Sequence, residues 1–378
     1  MRQIAGAKGI DPYQYLNFMG YDKFEARVRM RLGNGTSQDY AYNPLHRRMT
    51  NLLAFTPTGK NGPRTFMDMG YGYDDVGNIL SLSNSAPIPS SPSLKGGQSD
   101  YTFGYDDLYQ LTTANGEYRY PKNKTERFTL DMAYDEIHNI VDKDQLAGRV
   151  KKNGSIQEDK KITYDWGYQY NSSRPHAATL IGDRTFLYDL NGNQVGWDSN
   201  TSGQQRRIVW DEENRIQEIA DNGRTSRYKY DEDTNRVVKR GPGGETLYIN
   251  QWYVANNGRN SKHVFAGETR ITTKLEMSPT GEGNGPDIPG GGNGNGNGNG
   301  NSGNGNNGNG NGNGGNGNSG GGNNGGNNNA NQPGGYEKFQ YFYHPDHLGS
   351  TSYITDELGE VYQNLEPPRG SKVHWTFA

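Results

Sequence analysis

Along this chain an aromatic residue followed by Asp, a short polar stretch and then an aliphatic residue recurs too regularly for independent turns. Six copies are complete: Tyr73-Asp74, Tyr105-Asp106, Tyr134-Asp135, Tyr188-Asp189, Trp210-Asp211 and Tyr230-Asp231. Two looser copies are Tyr42-Asn43 and Tyr164-Asp165. The spacing runs from 20 residues, between Trp210 and Tyr230, to 32, between Tyr73 and Tyr105. Repetition at this period constrains a fold more than any bulk property, because one short unit cannot bury an apolar face alone and must stack on the next.

Each copy reads as a hairpin corner. The aromatic ends a strand, Asp hydrogen-bonds the turning backbone, Gly-Asn supplies left-handed φ, and an aliphatic such as Ile79, Leu111 or Ile216 opens the next strand. The stretch around Asn222-Gly223 is a type I′ hairpin signal, and the returning strand alternates Ser226, Tyr228 and Tyr230 with Thr225, Arg227 and Lys229. No segment carries apolar residues at helical spacing over three capped turns, so the chain is expected to be nearly all β.

Composition indicates what kind of sheet. Only 30% of residues are hydrophobic, and 26 Tyr stand against 11 Phe. A thick core draws on Leu, Ile and Val, whereas a sheet one layer deep, wet on both faces, suits Tyr, whose ring packs while its hydroxyl stays hydrated. The expected architecture is therefore a row of hairpins in a curved single-layer sheet, or an open piece of a hollow β-shell. A formal net charge of -3 excludes the broad positive field that nucleic-acid or anionic-membrane binding needs. No cysteine is present, so neither disulfides nor thiolate metal sites arise. There is no continuous apolar signal region at the N-terminus and no span of ~20 apolar residues.

The recurring Tyr-Asp-x-x-Gly-Asn pattern resembles the YD repeats of Rhs-type proteins, a family that includes bacterial polymorphic toxins, the shell component of insecticidal toxin complexes and the teneurins. More specific is Tyr341 and Phe342 followed by Tyr343-His344-Pro345-Asp346-His347-Leu348-Gly349-Ser350, which resembles the opening of the Rhs repeat-associated core. The stretch from Tyr248 through His263, Phe265, Gly267 and Arg270 is similar to the strand leading into that core. The resemblance implies hairpins wound into a hollow β-shell, with a variable toxin domain after the core, often released by a core aspartyl autoprotease. Beyond Gly359 this sequence departs from the family pattern, reading Glu366-Pro367-Pro368-Arg369-Gly370 and ending at Ala378, so neither autoprotease nor toxin is assigned and a truncated copy is expected.

Four parts follow: YD repeats over 1–280, a Gly/Asn-rich linker over 281–335, the start of the core over 336–366 and a divergent tail over 367–378. The linker can bury nothing to offset its ordering entropy and is expected to be a disordered coil, spanning roughly 40 Å root-mean-square.

Candidate sites are few. His344, Asp346 and His347 combine metal-ligating types at close spacing, but no second cluster completes a ligand set, and they read as a turn and strand. Asp189, Asn191 and Asn193 have calcium-loop spacing, yet Gln194 stands where the loop needs Gly and Asn200 where it needs Glu. No nucleophile elbow, phosphate loop or zinc-protease motif occurs. The expectation is a non-enzyme without cofactor or metal. Its partners would be neighbouring YD repeats or shell subunits and a toxin cargo, in a secreted or cell-surface setting. The alternative is a surface adhesion module stacking glycans on Trp166, Trp197, Trp210 and Trp252.

Overall fold

The computed structural model describes residues 3–8, 11–59, 62–91, 94–256, 259–277 and 339–365. The linker over 281–335, with its expected disorder, and the divergent tail over 367–378 lie wholly outside the described residues.

Every described element is a strand or a turn. The first eleven strands include all those of eight residues or more among the first twenty-two: β1 (Ile4–Lys8), β2 (Asp11–Tyr21), β3 (Arg27–Leu32), β4 (Ser37–Tyr42), β5 (Met49–Gly59), β6 (Gly62–Tyr73), β7 (Ile79–Asn84), β8 (Gln98–Tyr105), β9 (Leu111–Tyr120), β10 (Lys124–Tyr134) and β11 (Ile140–Val150). A shorter series follows: β12 (Ile156–Glu158), β13 (Tyr164–Gln169), β14 (Leu180–Ile181), β15 (Arg184–Tyr188), β16 (Gln194–Ser199), β17 (Gln205–Trp210) and β18 (Ile216–Asp221). It continues with β19 (Arg224–Tyr230), β20 (Arg236–Gly241), β21 (Gly244–Asn250) and β22 (Tyr253–Asn256). The last five are β23 (Arg259–Ala266), β24 (Thr269–Met277), β25 (Gln340–Pro345), β26 (Thr351–Thr355) and β27 (Val361–Asn364).

Each strand pairs antiparallel with its sequence neighbour, except that β13 pairs with β11 beyond the short β12. No pairing among the described residues joins β1 to β27, so the sheet is open. β24 pairs directly with β25, Thr272 opposite Phe342, although more than 60 residues separate the two strands in sequence.

The repeat corner has a fixed geometry. At Asp106 the carboxylate accepts the backbone N–H of Leu108 and of Gln110 at 2.9 and 2.8 Å, while Tyr109 N–H donates to the Asp106 carbonyl at 3.0 Å. Tyr109 sits at φ 62°, and the ladder slips by one residue between Gly104 and Tyr105. A type I turn closed by one left-handed residue and a bulge has this form, and it matches the right-handed twist of the flanking strands. The same corner recurs at Asp135, Asp189, Asp211 and Asp231.

Two sequence readings need correction here. Left-handed φ belongs to the third residue after Asp alone, and at four of the six corners it is Tyr109, His138, Asn214 or Thr234, against Gly77 and Gly192 at the other two. The following Asn does something else: Asn78, Asn139 and Asn193 donate their side-chain amides to the second carboxylate oxygen of the corner Asp at 2.7 to 3.0 Å. Tyr164-Asp165 is no corner, since both residues lie inside β13 opposite Gln145 and Asp144. Three corners went unread as repeats: Asp22, Asp346 and Asp356. Asn222-Gly223 does form the expected two-residue turn, with φ of 50° and 81°.

The repeat aromatic reaches back to the previous unit. Tyr105, Tyr134 and Tyr230 donate their hydroxyls to the carbonyls of Ile79, Leu111 and Ile216 at 2.8 to 2.9 Å, and Trp210 Nε1 donates to Gln194. Each acceptor belongs to the residue that opens a strand after the preceding corner. A ring that packs at one end and donates at the other therefore staples successive hairpins, which is why Tyr dominates over Phe.

Burial divides the strip in two. Strands β2 to β11 bury one face: Leu52, Ala54, Phe66, Met67, Met69, Tyr101 and Phe128 form one cluster with Tyr353 of β26. Leu16, Met30 and Leu32 form another with Ile271 of β24 and Phe342 of β25. The strip thus curls until its last strands lie over its first. Between Val150 and Asn256 the only buried apolar residues among those described are Ala178 and Trp197. The expected single layer holds for that middle stretch, and the N-terminal strands carry a second layer.

Candidate functional site

The place where the last described strands meet the first is also where the most distinctive sequence segment lies. Tyr341, Phe342, Tyr343 and His344 are all buried in β25, and Pro345-Asp346-His347-Leu348-Gly349-Ser350 is a repeat corner. Asp346 accepts the N–H groups of Leu348 and Ser350 at 2.9 Å, with Gly349 at φ 81°. The segment is thus an ordinary hairpin placed in an extraordinary position.

Its docking onto the N-terminal sheet is polar as well as apolar. Asn34 Nδ2 donates to Thr355 Oγ1 and to the Asp356 carbonyl, both at 2.8 Å. Gln38 Nε2 donates to the Pro345 carbonyl at 3.3 Å and Thr56 Oγ1 to the Gly359 carbonyl at 2.6 Å. Gly359 lies at φ 75°, and a Cβ there would sit 2.9 Å from Thr56, so the close approach requires glycine. Asn84 reaches the Tyr353 hydroxyl at 3.0 Å and Asn364 the Tyr118 hydroxyl at 2.8 Å. On the neighbouring β24, buried Lys274 donates to the Tyr15 hydroxyl at 2.7 Å and lies 3.8 Å from the Tyr13 ring centre.

His344 is wholly buried, edge-on to Phe66 at 4.9 Å, with Nε2 3.0 Å from Thr355 Oγ1 and no partner for Nδ1. Burial lowers its pKa to about 3, so the ring is neutral at ordinary pH. His347 packs edge-on to Tyr71 at 4.8 Å and burial pushes it below the usual imidazole range, though the Asp346 carboxylate opposes this. Burial likewise brings His263 to about 4, with Arg270 adding to the effect. No three His, Cys, Asp or Glu residues gather at metal-binding geometry among the described residues.

The corner carboxylates are structural groups. Partial burial would raise the pKa of Asp74, but hydrogen bonds from Asn78 and from the Gly77 and Asn78 amides outweigh it and hold the group below its ordinary value. At Asp211 the Arg215 amide leads in the same direction, followed after burial by the Arg215 side chain. Asp74, Asp106, Asp135, Asp189, Asp211 and Asp231 stand one per corner along the strip.

The four tryptophans singled out for glycan stacking, Trp166, Trp197, Trp210 and Trp252, do not form a strip of free faces. Trp197 is 5% exposed with Arg184 over its ring at 4.4 Å, Trp166 stacks on Tyr164 at 4.1 Å, and Trp210 is half-buried through its bond to Gln194. Of these four, Trp252 alone is exposed, at 53%. Sequence reading found the terminal hairpin but missed Asn34, Gln38, Thr56 and Asn84, whose signal lies only in their facing partners.

No family model matches the chain. Toxin subunit YenC1 of Yersinia entomophaga is 36% identical over 97 residues, 25% of this chain and 10% of that subunit. Toxin subunit YenC2 of the same organism is 29% identical over 110 residues, 29% of this chain and 11% of that subunit. The crystal structure of TcdB2-TccC3-TEV matches with a TM-score of 0.63 at 17% identity, over 96% of this chain and 16% of that one. The Photorhabdus luminescens Tc holotoxin pore matches with a TM-score of 0.52 at 15% identity, over 94% of this chain and 15% of that one. The chain thus spans about a tenth of the curated relatives, and its likeness to the solved structures is one of fold. No described helix is long and apolar enough to cross a membrane.

Proposed function

Since the chain belongs to the Rhs/YD-repeat family of toxin-complex proteins, we propose that it is a stretch of shell wall that encloses or presents a toxic effector. The carrying observation is that the strip curls until β24 to β27 lie over β2 to β9, so one chain supplies both an open single-layer wall and a sealed two-layer seam. A seam held by both apolar clusters and hydrogen bonds resists opening, which is what containment asks of a wall. The role is structural rather than catalytic, and the site of action is outside the producing cell, as for a secreted toxin subunit.

A chimaera tests this. This chain would replace the segment of YenC1 that it matches, with a protease-sensitive reporter placed after it. Assembly into hollow particles that shield the reporter from protease is the expected result. A folded chimaera that leaves the reporter fully digestible would refute containment.

A further inference from the structure

The fold treats its histidines unequally. His46, His138 and His176 lie exposed in turns, whereas His344 has no exposure at all. It sits where the last strands cover the first, with the Phe66 ring of β6 edge-on at 4.9 Å and Tyr353 of β26 opposite it in the ladder. Three residues on, His347 meets Tyr71 of the same β6, again edge-on. In both rings Nδ1 is buried and without a partner among the described residues.

Hydrogen bonding around His344 has a direction. Asn34 Nδ2 can only donate, and it gives one hydrogen to Thr355 Oγ1 at 2.8 Å. Thr355 is wholly buried and has one hydroxyl hydrogen of its own, with His344 Nε2 3.0 Å away. Where Nε2 accepts that hydrogen, the Nδ1–H alone is orphaned. The reverse direction orphans both the Nδ1 lone pair and the Thr355 hydrogen, so the relay runs from Asn34 through Thr355 to His344.

A proton on Nε2 removes the acceptor on which this relay ends. The Thr355 hydrogen then loses its partner, and a charge stands among Phe66 and Tyr353. The charged groups nearby do not offset it. Arg64 of β6 is itself positive and interacts with Glu360 and Tyr353, while Asp346 acts on His347. For His344 burial is the cause that counts.

We propose that the Asn34–Thr355–His344 relay is an acid latch: a proton taken up by His344 lifts β25 to β27 off the N-terminal sheet while the single-layer stretch stays folded. The wall reading asks that the seam be closed, and the latch adds the condition under which it opens, whatever the wall encloses. Once lifted, His344 titrates near the ordinary imidazole value of about 6.5, so a fall from about pH 7.5 to about 4.5 favours the open form about a hundredfold.

The chain has no cysteine, so a single thiol placed under the seam reports its opening. Ala54→Cys puts one in the buried cluster beneath Tyr353, and Ala178→Cys puts one in the single-layer stretch as a control. Labelling of the full chain with an aromatic disulfide, which reacts at both pH values, is read relative to the same thiol in the unfolded chain. The expected result is a rise of about a hundredfold at position 54 on acidification, with position 178 still protected. His344→Gln, or His344→Met should that variant not fold, cuts the rise to less than about tenfold. Thr355→Val breaks the relay without adding charge and raises labelling several-fold already at pH 7.5. Labelling at position 54 that ignores pH, or that rises equally without His344, overturns the latch. A rise at position 178 in step with position 54 overturns it too, since the whole strip would then be unfolding, and indifference to Thr355→Val refutes the relay. None of these outcomes bears on whether a wall shields its cargo, which the chimaera tests.

Discussion

The strands from β2 to β11 and those from β13 to β22 are built on the same corner, yet they solve burial differently. In the first group long strands carry Leu, Met and Phe on one face and are covered by β24 to β27. In the second, short strands alternate half-buried and exposed residues and rely on stapling Tyr and Trp rings and on cross-strand ion pairs such as Arg227–Glu218 and Arg207–Asp198. Exposed pairs of this kind each contribute under about 1 kcal/mol, so they cannot replace a covered face. One hairpin grammar therefore supports two regimes, and the choice between them depends on whether another part of the chain lies above.

Removing a large buried side chain should separate the two most sharply. Phe66 is 1% exposed between His344 and Tyr353, and Phe66→Ala should lose about 3–5 kcal/mol. In the single layer, Ile208→Ala opposite Ile219 should lose about 1–2 kcal/mol, because water already reaches that face. Urea unfolding of both variants measures the contrast, and equal losses would erase it.

Acid acts on the covered region through His344. Its pKa is depressed in the fold, so unfolding takes up a proton, and stability is lost as pH falls below the free imidazole value of 6.5 towards about 3. Between pH 7 and 5 this amounts to roughly 2 kcal/mol. His344→Gln should remove about half of the pH dependence seen in denaturant titrations, the rest remaining with His263, while the single-layer stretch from β13 to β22 places no histidine in a comparable position.

Shortening the linker is the third probe. Replacing residues 281–335 by a few Gly and Ser leaves β24 and β25 paired and lowers the closure entropy, for a gain of about 1.5 kcal/mol. A loss of folding instead would mean that the tract itself contributes contacts. The smallest effect belongs to the staples: Tyr134→Phe and Tyr230→Phe should each lose about 1 kcal/mol, alike in both regions, because the bond lies within the strip. A much larger loss at Tyr134 would place the staple under the control of the second layer.

The corner was legible because it is local. Asp and the residues that turn around it lie within five positions, so Tyr105-Asp106 or Tyr230-Asp231 declare themselves without any neighbour. Even there the reading erred where chemistry is permissive, since a corner that tolerates Tyr109 or Thr234 at positive φ carries no Gly to mark it. Tyr164-Asp165 misled for the converse reason, having the right pair inside a strand.

Turn chemistry and period act over a few residues, so the row of antiparallel hairpins and the distinctive core segment were legible in the sequence, while the stapling of one hairpin to the next by Tyr and Trp was not. Long-range packing is what brings His344, Thr355 and Gly359 to rest against Phe66, Asn34 and Thr56. An alternating strand states that one face is to be covered, and nothing in it names the cover. That identity is set by the accumulated twist and curl of more than twenty strands, acting between residues some 300 positions apart.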